Sequence, residues 1–170
     1  MEPNITIRNA DPDDYDQIIN QIDAWWGGRR MGVMLPRLFF THFRPWTYVA
    51  AQGNAIVGFL AGFRSQSDPR LIYCHFIGVD PGFRSRGIGE ALYQRLFSEA
   101  ALQGCQEVLA VTSPENQGSI SFHTRIGFQP ISGLSYRGDI PYAPDYDGLG
   151  EDRVRFRKLL RDAQAGIPAG

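Results

Sequence analysis

At 170 residues the chain is long enough for one domain with a real core, and its 43% of hydrophobic residues can fill it. A formal net charge of −1, with no basic patch or basic helix, argues against a dedicated nucleic-acid binder. No apolar run nears the roughly 20 residues a membrane helix requires, and the opening M-E-P-N-I-T-I-R is too polar for a secretion signal.

Asn4 to Ala10 alternates weakly, with Ile5 and Ile7 on one face, and predicts an edge-like strand. Asp11 or Asp13 then caps a helix whose apolar stripe is Tyr15, Ile18, Ile19, Ile22 and Trp26, and Gly27-Gly28 stops it. A second helix runs through Leu35, Leu38, Phe39 and Phe40 and exits at Pro45. Trp46–Gln52 and Ala55–Arg64 form a hairpin about Gly53-Asn54. A polar loop leads into the apolar strand Leu71–Val79. Helix Gly87–Gln103, stopped by Gly104, precedes a short strand, Glu107–Thr112, expected parallel to the previous one because a helix connects them. Asn116–Ile126 is a further helix, Gly127 ends it, and Phe128 opens a strand.

Residues 133–150 are rich in Gly, Pro, Tyr and Asp and show no period. They read as a long loop, of the kind that often serves a site. Asp152–Leu159 alternates as a closing strand, and 161–170 is an Ala/Gly-rich tail expected to be frayed. No repeat or boundary interrupts residues 1–160, which read as a single domain. The expected class is α/β, with a mixed central sheet of about seven strands flanked by four helices.

Cys74 and Cys105 make neither a disulfide framework nor a metal motif, and read as free buried thiols, in keeping with the cytoplasm. His42, His75 and His123 are scattered, so no metal is expected.

Val79 to Gly89 reads V-D-P-G-F-R-S-R-G-I-G, a strand end, a tight turn and a glycine-punctuated helix start. First-turn amides lack internal partners and can bind an anion with the helix dipole, and Arg84 and Arg86 add positive charge. Such a nest suits a pyrophosphate. No Lys follows as in a mononucleotide P-loop, and only one G-x-G is present where a dinucleotide fingerprint needs G-x-G-x-x-G. The segment resembles the acyl-CoA motif Q/R-x-x-G-x-G/A of the GNAT N-acetyltransferases, which falls on Arg84, Gly87 and Gly89, with the usual V-x-P lead at Val79 and Pro81. A second run, N-Q-G-S-I-S-F-H-T-R-I-G-F, is similar to that family's N-x-x-A/S-x-x-F/L-Y-x-x-x-G-F at Asn116, Ser119, Phe122, Gly127 and Phe128. The element order resembles the family's as far as about Leu159.

The resemblance implies the GNAT fold and acetyl-CoA, or another short-chain acyl-CoA, as co-substrate. It implies contacts from the backbones of Ile77 and Val79, from Arg84, Ser85, Arg86, Gly87, Ile88 and Gly89, and from Asn116, Ser119 and His123. The family's frequent catalytic Glu falls at Tyr73, so no carboxylate base stands on this strand. Two-residue parity puts Tyr73, His75, Ile77 and Val79 on one face and Cys74, Phe76 and Gly78 on the other. His75 is then either the general base or a polar strand residue bonded to a neighbour. His123 replaces the family's usual Tyr and is either a proton donor to the leaving thiolate or a packing residue beside CoA.

The acceptor side is expected from Trp26, Arg29, Tyr142 and Asp147. The implied activity is acetyl transfer to a primary amine of a small molecule or peptide by direct attack. The alternatives are a CoA-binding or regulatory module without chemistry, and a non-catalytic homodimer. Neither nucleic acid nor membrane is an expected partner.

Overall fold

The computed structural model describes residues 4–160, and the expectation of a frayed tail lies outside them. The fold is α/β: a mixed seven-stranded sheet in the order β1-β2-β3-β4-β5-β9-β6, and a two-stranded ribbon of β7 and β8. Its strands are β1 Ile5–Asn9, β2 Thr47–Gln52, β3 Ala55–Arg64, β4 Leu71–Val79, β5 Glu107–Thr112, β6 Gln129–Pro130, β7 Ser135–Arg137, β8 Ile140–Tyr142 and β9 Val154–Leu159. The helices are α1 Asp14–Ile19, α2 Ile22–Trp25, α3 Leu38–Thr41, α4 Ile88–Leu102 and α5 Gln117–Arg125. The chain groups into two compact units. One takes the residues up to Arg64 with Cys74–Ala100; the other takes Ser65–Tyr73 with the residues from Ala101 on.

In the first unit, β1 and β2 pair antiparallel from Ile5 opposite Gln52 to Asn9 opposite Tyr48. The β2–β3 hairpin turns at Gly53, where φ is +60°, and its register slips between Ala50 and Ala51. Ile18, Ile22, Trp25, Leu35, Phe39 and Phe40 bury themselves against Val49, Ala51, Phe59 and Ala61.

The expected first helix is two short ones. Gln21 leaves the helical region at φ −125°, and its side-chain amide donates to the Ile56 carbonyl oxygen at 3.3 Å. Ile18, Ile22 and Trp25 nevertheless all stay buried, which is why their spacing reads as one continuous stripe. Asp13 stands at the expected N-cap position, but its side chain makes no capping bond. Asp14, one residue further on, accepts from the Asp11 amide at 2.7 Å and takes the Arg8 guanidinium on both oxygens, at 2.7 and 2.9 Å. The expected second helix is a 3₁₀ turn over Gly32–Met34 followed by α3, with another 3₁₀ turn over Arg44–Trp46.

In the second unit, β9 pairs antiparallel with β5 from Leu159 opposite Glu107 to Val154 opposite Thr112. The buried residues of β9 are Val154 and Phe156, the inward face of its alternation. The stretch expected as a long loop holds the β7–β8 ribbon, with Ser135 opposite Tyr142. Gly133 has no room for a side chain: a Cβ there would run into the Tyr142 backbone carbonyl.

Candidate active site

The turn after β4 is built in three steps. Asp80 Oδ1 accepts from the Gly82 amide at 2.8 Å and sets a 3₁₀ turn over Pro81–Phe83. Ser85 and Gly87 then take left-handed backbone, at φ +62° and +77°. Gly87 O accepts from Ala91 N at 2.9 Å and opens the 15-residue helix α4. The first-turn amides of such a helix have no carbonyl behind them, and its dipole favours negative charge there. A Cβ on Gly87 would meet nothing within 4 Å, so the backbone faces open space. The residues from Arg84 to Gly87 are exposed. Beside the turn is an open hollow of about 180 Å³ lined by Ile5, Ile7, Arg86, Gly87, Ile88 and Ala91.

Arg84 does not present its guanidinium to this space. Its Nη2 donates to the Trp25 carbonyl oxygen at 2.7 Å and its Nε to that of Val79 at 3.2 Å. The side chain therefore braces the turn against α2 and the end of β4. Arg86 instead lies over the Phe83 ring, 5.0 Å from its centroid.

The end of β4 is shaped by a missing side chain. A Cβ on Gly78 would stand 2.5 Å from Trp26 Cη2 and 2.8 Å from Phe59 Cε1. Trp26 therefore lies directly on the strand backbone between Ile77 and Val79, tilted against Phe76 with centroids 5.3 Å apart. His75 stacks on Phe39, centroids 4.6 Å apart and planes at 10°. Phe39 and Phe59 belong to one cluster, so the neighbours His75 and Phe76 both touch it, and the strict parity expected for this strand does not hold there.

His75 Nε2 lies 2.7 Å from the Met34 carbonyl oxygen. A carbonyl only accepts, so Nε2 carries the proton. The lone pair is on Nδ1, which has no hydrogen-bond partner among the described residues. Cys74 is 3% exposed, and burial pushes its thiol up to about 12, so no thiolate nucleophile stands beside His75.

In the second unit Asn116 caps α5. Its Oδ1 accepts from the Ser119 amide at 3.0 Å, which leaves the Nδ2 donors without a partner among the described residues. His123 is 4% exposed. It stacks on Phe156, centroids 5.2 Å apart and planes at 13°, and meets Phe122 and Phe128 edge-on. Its Nδ1 is 2.8 Å from the Ser119 carbonyl oxygen, which fixes the proton on Nδ1 and the lone pair on Nε2. Burial lowers its pKa, and the Ser119 carbonyl offsets this only in part. A neutral ring in this tautomer has no Nε2 proton to give. Both roles raised for His123 therefore concern a buried ring whose Nδ1 is already committed to Ser119.

The residues expected on the acceptor side fall into two groups. Trp26 lies on β4, and Arg29 follows on an exposed turn that Gly27 and Gly28 enter with φ +66° and +86°. Neither Arg29 nor its neighbour Arg30 has an ion-pair partner among the described residues. Tyr142 ends β8 and is half-buried. Asp147 is paired, its Oδ2 taking Arg153 Nε at 2.7 Å. Asp145 likewise turns inward, accepting from the Gly150 amide at 2.6 Å.

The profile of the acetyltransferase (GNAT) family matches residues 13–128, more than half of the chain. The chain belongs to that family. It is 29% identical over 136 residues to an uncharacterised N-acetyltransferase of Methanocaldococcus jannaschii, covering 73% of this chain and 60% of that one. It is 31% identical over 80 residues to the L-2,4-diaminobutyric acid acetyltransferase of Nocardia farcinica, covering 47% of this chain and 42% of that one. It thus spans less than two thirds of the length of these curated relatives. Among solved structures, the fold is similar to diaminobutyrate acetyltransferase of Paenibacillus lautus, in complex with its substrate and coenzyme A, at a TM-score of 0.66, 19% identity and coverage of 98% and 99%. It is also similar to an N-acetyltransferase of Staphylococcus aureus at a TM-score of 0.65, 21% identity and coverage of 93% and 99%.

For this GNAT chain, sequence reasoning missed three groups. Gly78 is one; a glycine inside an apolar strand is itself a signal of close approach, and here the approaching group is Trp26. The Met34 carbonyl is the second, and as a backbone atom it leaves no mark in the residue types. Asp23 is the third: its Oδ1 accepts from the Gly32 amide at 2.7 Å.

Proposed function

We propose that the protein is an acetyl-CoA-dependent N-acetyltransferase acting on a primary amine of a small molecule or peptide. One observation carries the reading: an exposed turn, left-handed at Ser85 and Gly87, feeds a long helix and has open space beside Gly87. This fits a pyrophosphate, the group that anchors acyl-CoA. The backbone from Arg84 to Gly89 would hold that group.

Acetyl-CoA supplies an activated thioester. The neutral amine attacks its carbonyl carbon, the C–N bond forms, the C–S bond breaks, and the thiolate leaves. The proton lost by the amine goes to His75 Nδ1, the nitrogen whose lone pair is uncommitted. The resulting imidazolium is stabilised by the Nε2–H bond to Met34, which strengthens when the ring is charged. No covalent acyl-enzyme is needed, and the buried Cys74 thiol takes no part.

On the acceptor side, Arg29 and Arg30 repel a polycation and attract an amine that also carries a carboxylate. This agrees with the likeness to a diaminobutyric acid acetyltransferase.

The test is calorimetry with acetyl-CoA, then a panel of amines with detection of the free thiol. The panel should pair each amino acid with its decarboxylated analogue. Acetyl-CoA binding no tighter than about millimolar would defeat the reading, since enzyme substrate constants run from about 10⁻⁶ to 10⁻³ M. Tight binding with no thiol released from any amine would favour the CoA-binding module instead.

A further inference from the structure

Asp23 clamps both ends of one short segment. Its backbone carbonyl accepts from the Gly28 amide at 2.8 Å, and its carboxylate accepts from the Gly32 amide at 2.7 Å. Gly32 opens the 3₁₀ turn that ends at Met34. Within that turn Met34 N donates to Met31 O at 2.9 Å and Leu35 N to Gly32 O at 3.1 Å, and the fully buried Leu35 roots it in the core. The last carbonyl of the turn, that of Met34, receives the His75 Nε2–H at 2.7 Å. There is little slack: a Cβ on Gly32 would lie 3.2 Å from Ile19 Cδ1 and 3.4 Å from Asp23 Oδ1.

We propose that Asp23 is a positioning residue which, through the Gly32–Met34 turn, fixes the tautomer and orientation of His75 and so leaves Nδ1 as its basic nitrogen. The inference rests on His75 serving as the proton acceptor described above. A histidine's two nitrogens are distinct, and the partner of one sets what the other can do. Here that partner is a backbone oxygen, so the arrangement is tuned through the side chain that hydrogen-bonds to the turn, Asp23. Phe39 restrains the ring plane but does not choose between the nitrogens.

The experiment is nitrogen-15 NMR of the histidine rings in the intact chain, with His75→Gln to identify the His75 signals. Wild type should show a single Nε2–H tautomer with an observable, protected ring proton. In Asp23→Ala that proton should exchange with solvent, and the two nitrogen signals should move toward an averaged pair. Asp23→Asn keeps an oxygen for the Gly32 amide and should restore the wild-type pattern. If Asp23→Ala does not fold, Gly32→Ala displaces the same turn by a few tenths of an ångström and should give the same change. The maximal rate should fall about tenfold in the variant that frees the ring. A folded Asp23→Ala or Gly32→Ala whose His75 signals match wild type overturns the inference. A freed ring with an unchanged rate leaves the positioning intact and overturns the role of His75 as base.

Discussion

His75 and His123 are the same side chain in opposite settings. Each is stacked on one aromatic ring, and each has one nitrogen on a carbonyl oxygen 2.7 to 2.8 Å away. The carbonyl takes Nε2 of His75 but Nδ1 of His123. His75 is half-buried with Nδ1 uncommitted, whereas His123 is shut among Phe122, Phe128 and Phe156 and held neutral by burial. Proton transfer needs a ring that can change charge, and the difference lies in desolvation more than in hydrogen bonding.

The largest expected effect breaks the comparison at His75. His75→Ala should lower the maximal rate by about 10²- to 10⁴-fold and leave acetyl-CoA binding nearly intact. An amine of high pKa must be used, since an amine already neutral needs no base. An unchanged rate would place His75 with His123 as a structural ring.

Gly78→Ala comes next and probes the surface on which Trp26 lies. Its Cβ would fall inside the Trp26 ring contact, so Trp26 must move or the strand must bend. Overpacking of this kind costs about 1–3 kcal/mol in denaturant unfolding. Adding Trp26→Leu should recover part of the loss. A double variant no more stable than Gly78→Ala would show that Phe59, and not Trp26, sets the constraint.

Gly87 separates ligand contact from backbone strain. Gly87→Asp should weaken acetyl-CoA at least about tenfold, about 1.4 kcal/mol, by setting a carboxylate against the pyrophosphate. Gly87→Asn bears the same left-handed backbone at φ +77° without the charge and should weaken it much less. Equal losses in the two would remove charge as the cause, and no loss in either would remove the anion site.

Those predictions draw on features unequally visible in the chain. The strands Ala55–Arg64, Leu71–Val79 and Glu107–Thr112 can be placed to the residue because apolar runs are bounded by turn residues on both sides. Gly87 and Asn116 announce themselves because a helix start has few chemical solutions. Arg84 did not: nothing local says that its guanidinium turns back to the Trp25 carbonyl, 59 residues away. Asp147 is similar, an acid in an acid-rich stretch whose partner, Arg153, lies on the far side of a turn. The seal on His123 is also long-range, since Phe156 comes from the closing strand. Motif spacing locates such residues; only tertiary partners decide what they do.

The smallest effect tests that seal through pH and stability. Burial lowers the His123 pKa below its ordinary 6.5, so the unfolded chain binds more protons than the folded one in the window just below that value. Stability therefore rises with pH through the window. The contribution is complete above about pH 6.5 and is lost as pH falls toward the native value, with a slope of at most about 1.4 kcal/mol per pH unit. His123→Phe keeps the stack on Phe156 and removes the titration. It also gives up the Nδ1–H bond to Ser119, a loss of about 1 kcal/mol that is the same at every pH. Denaturant unfolding from pH 7 down to 5 should give a flatter curve for the variant than for wild type, with the two approaching at the acid end. Parallel curves would mean that His123 gains its proton in the folded protein as readily as in the unfolded one. That would return it to the set of side chains able to donate a proton.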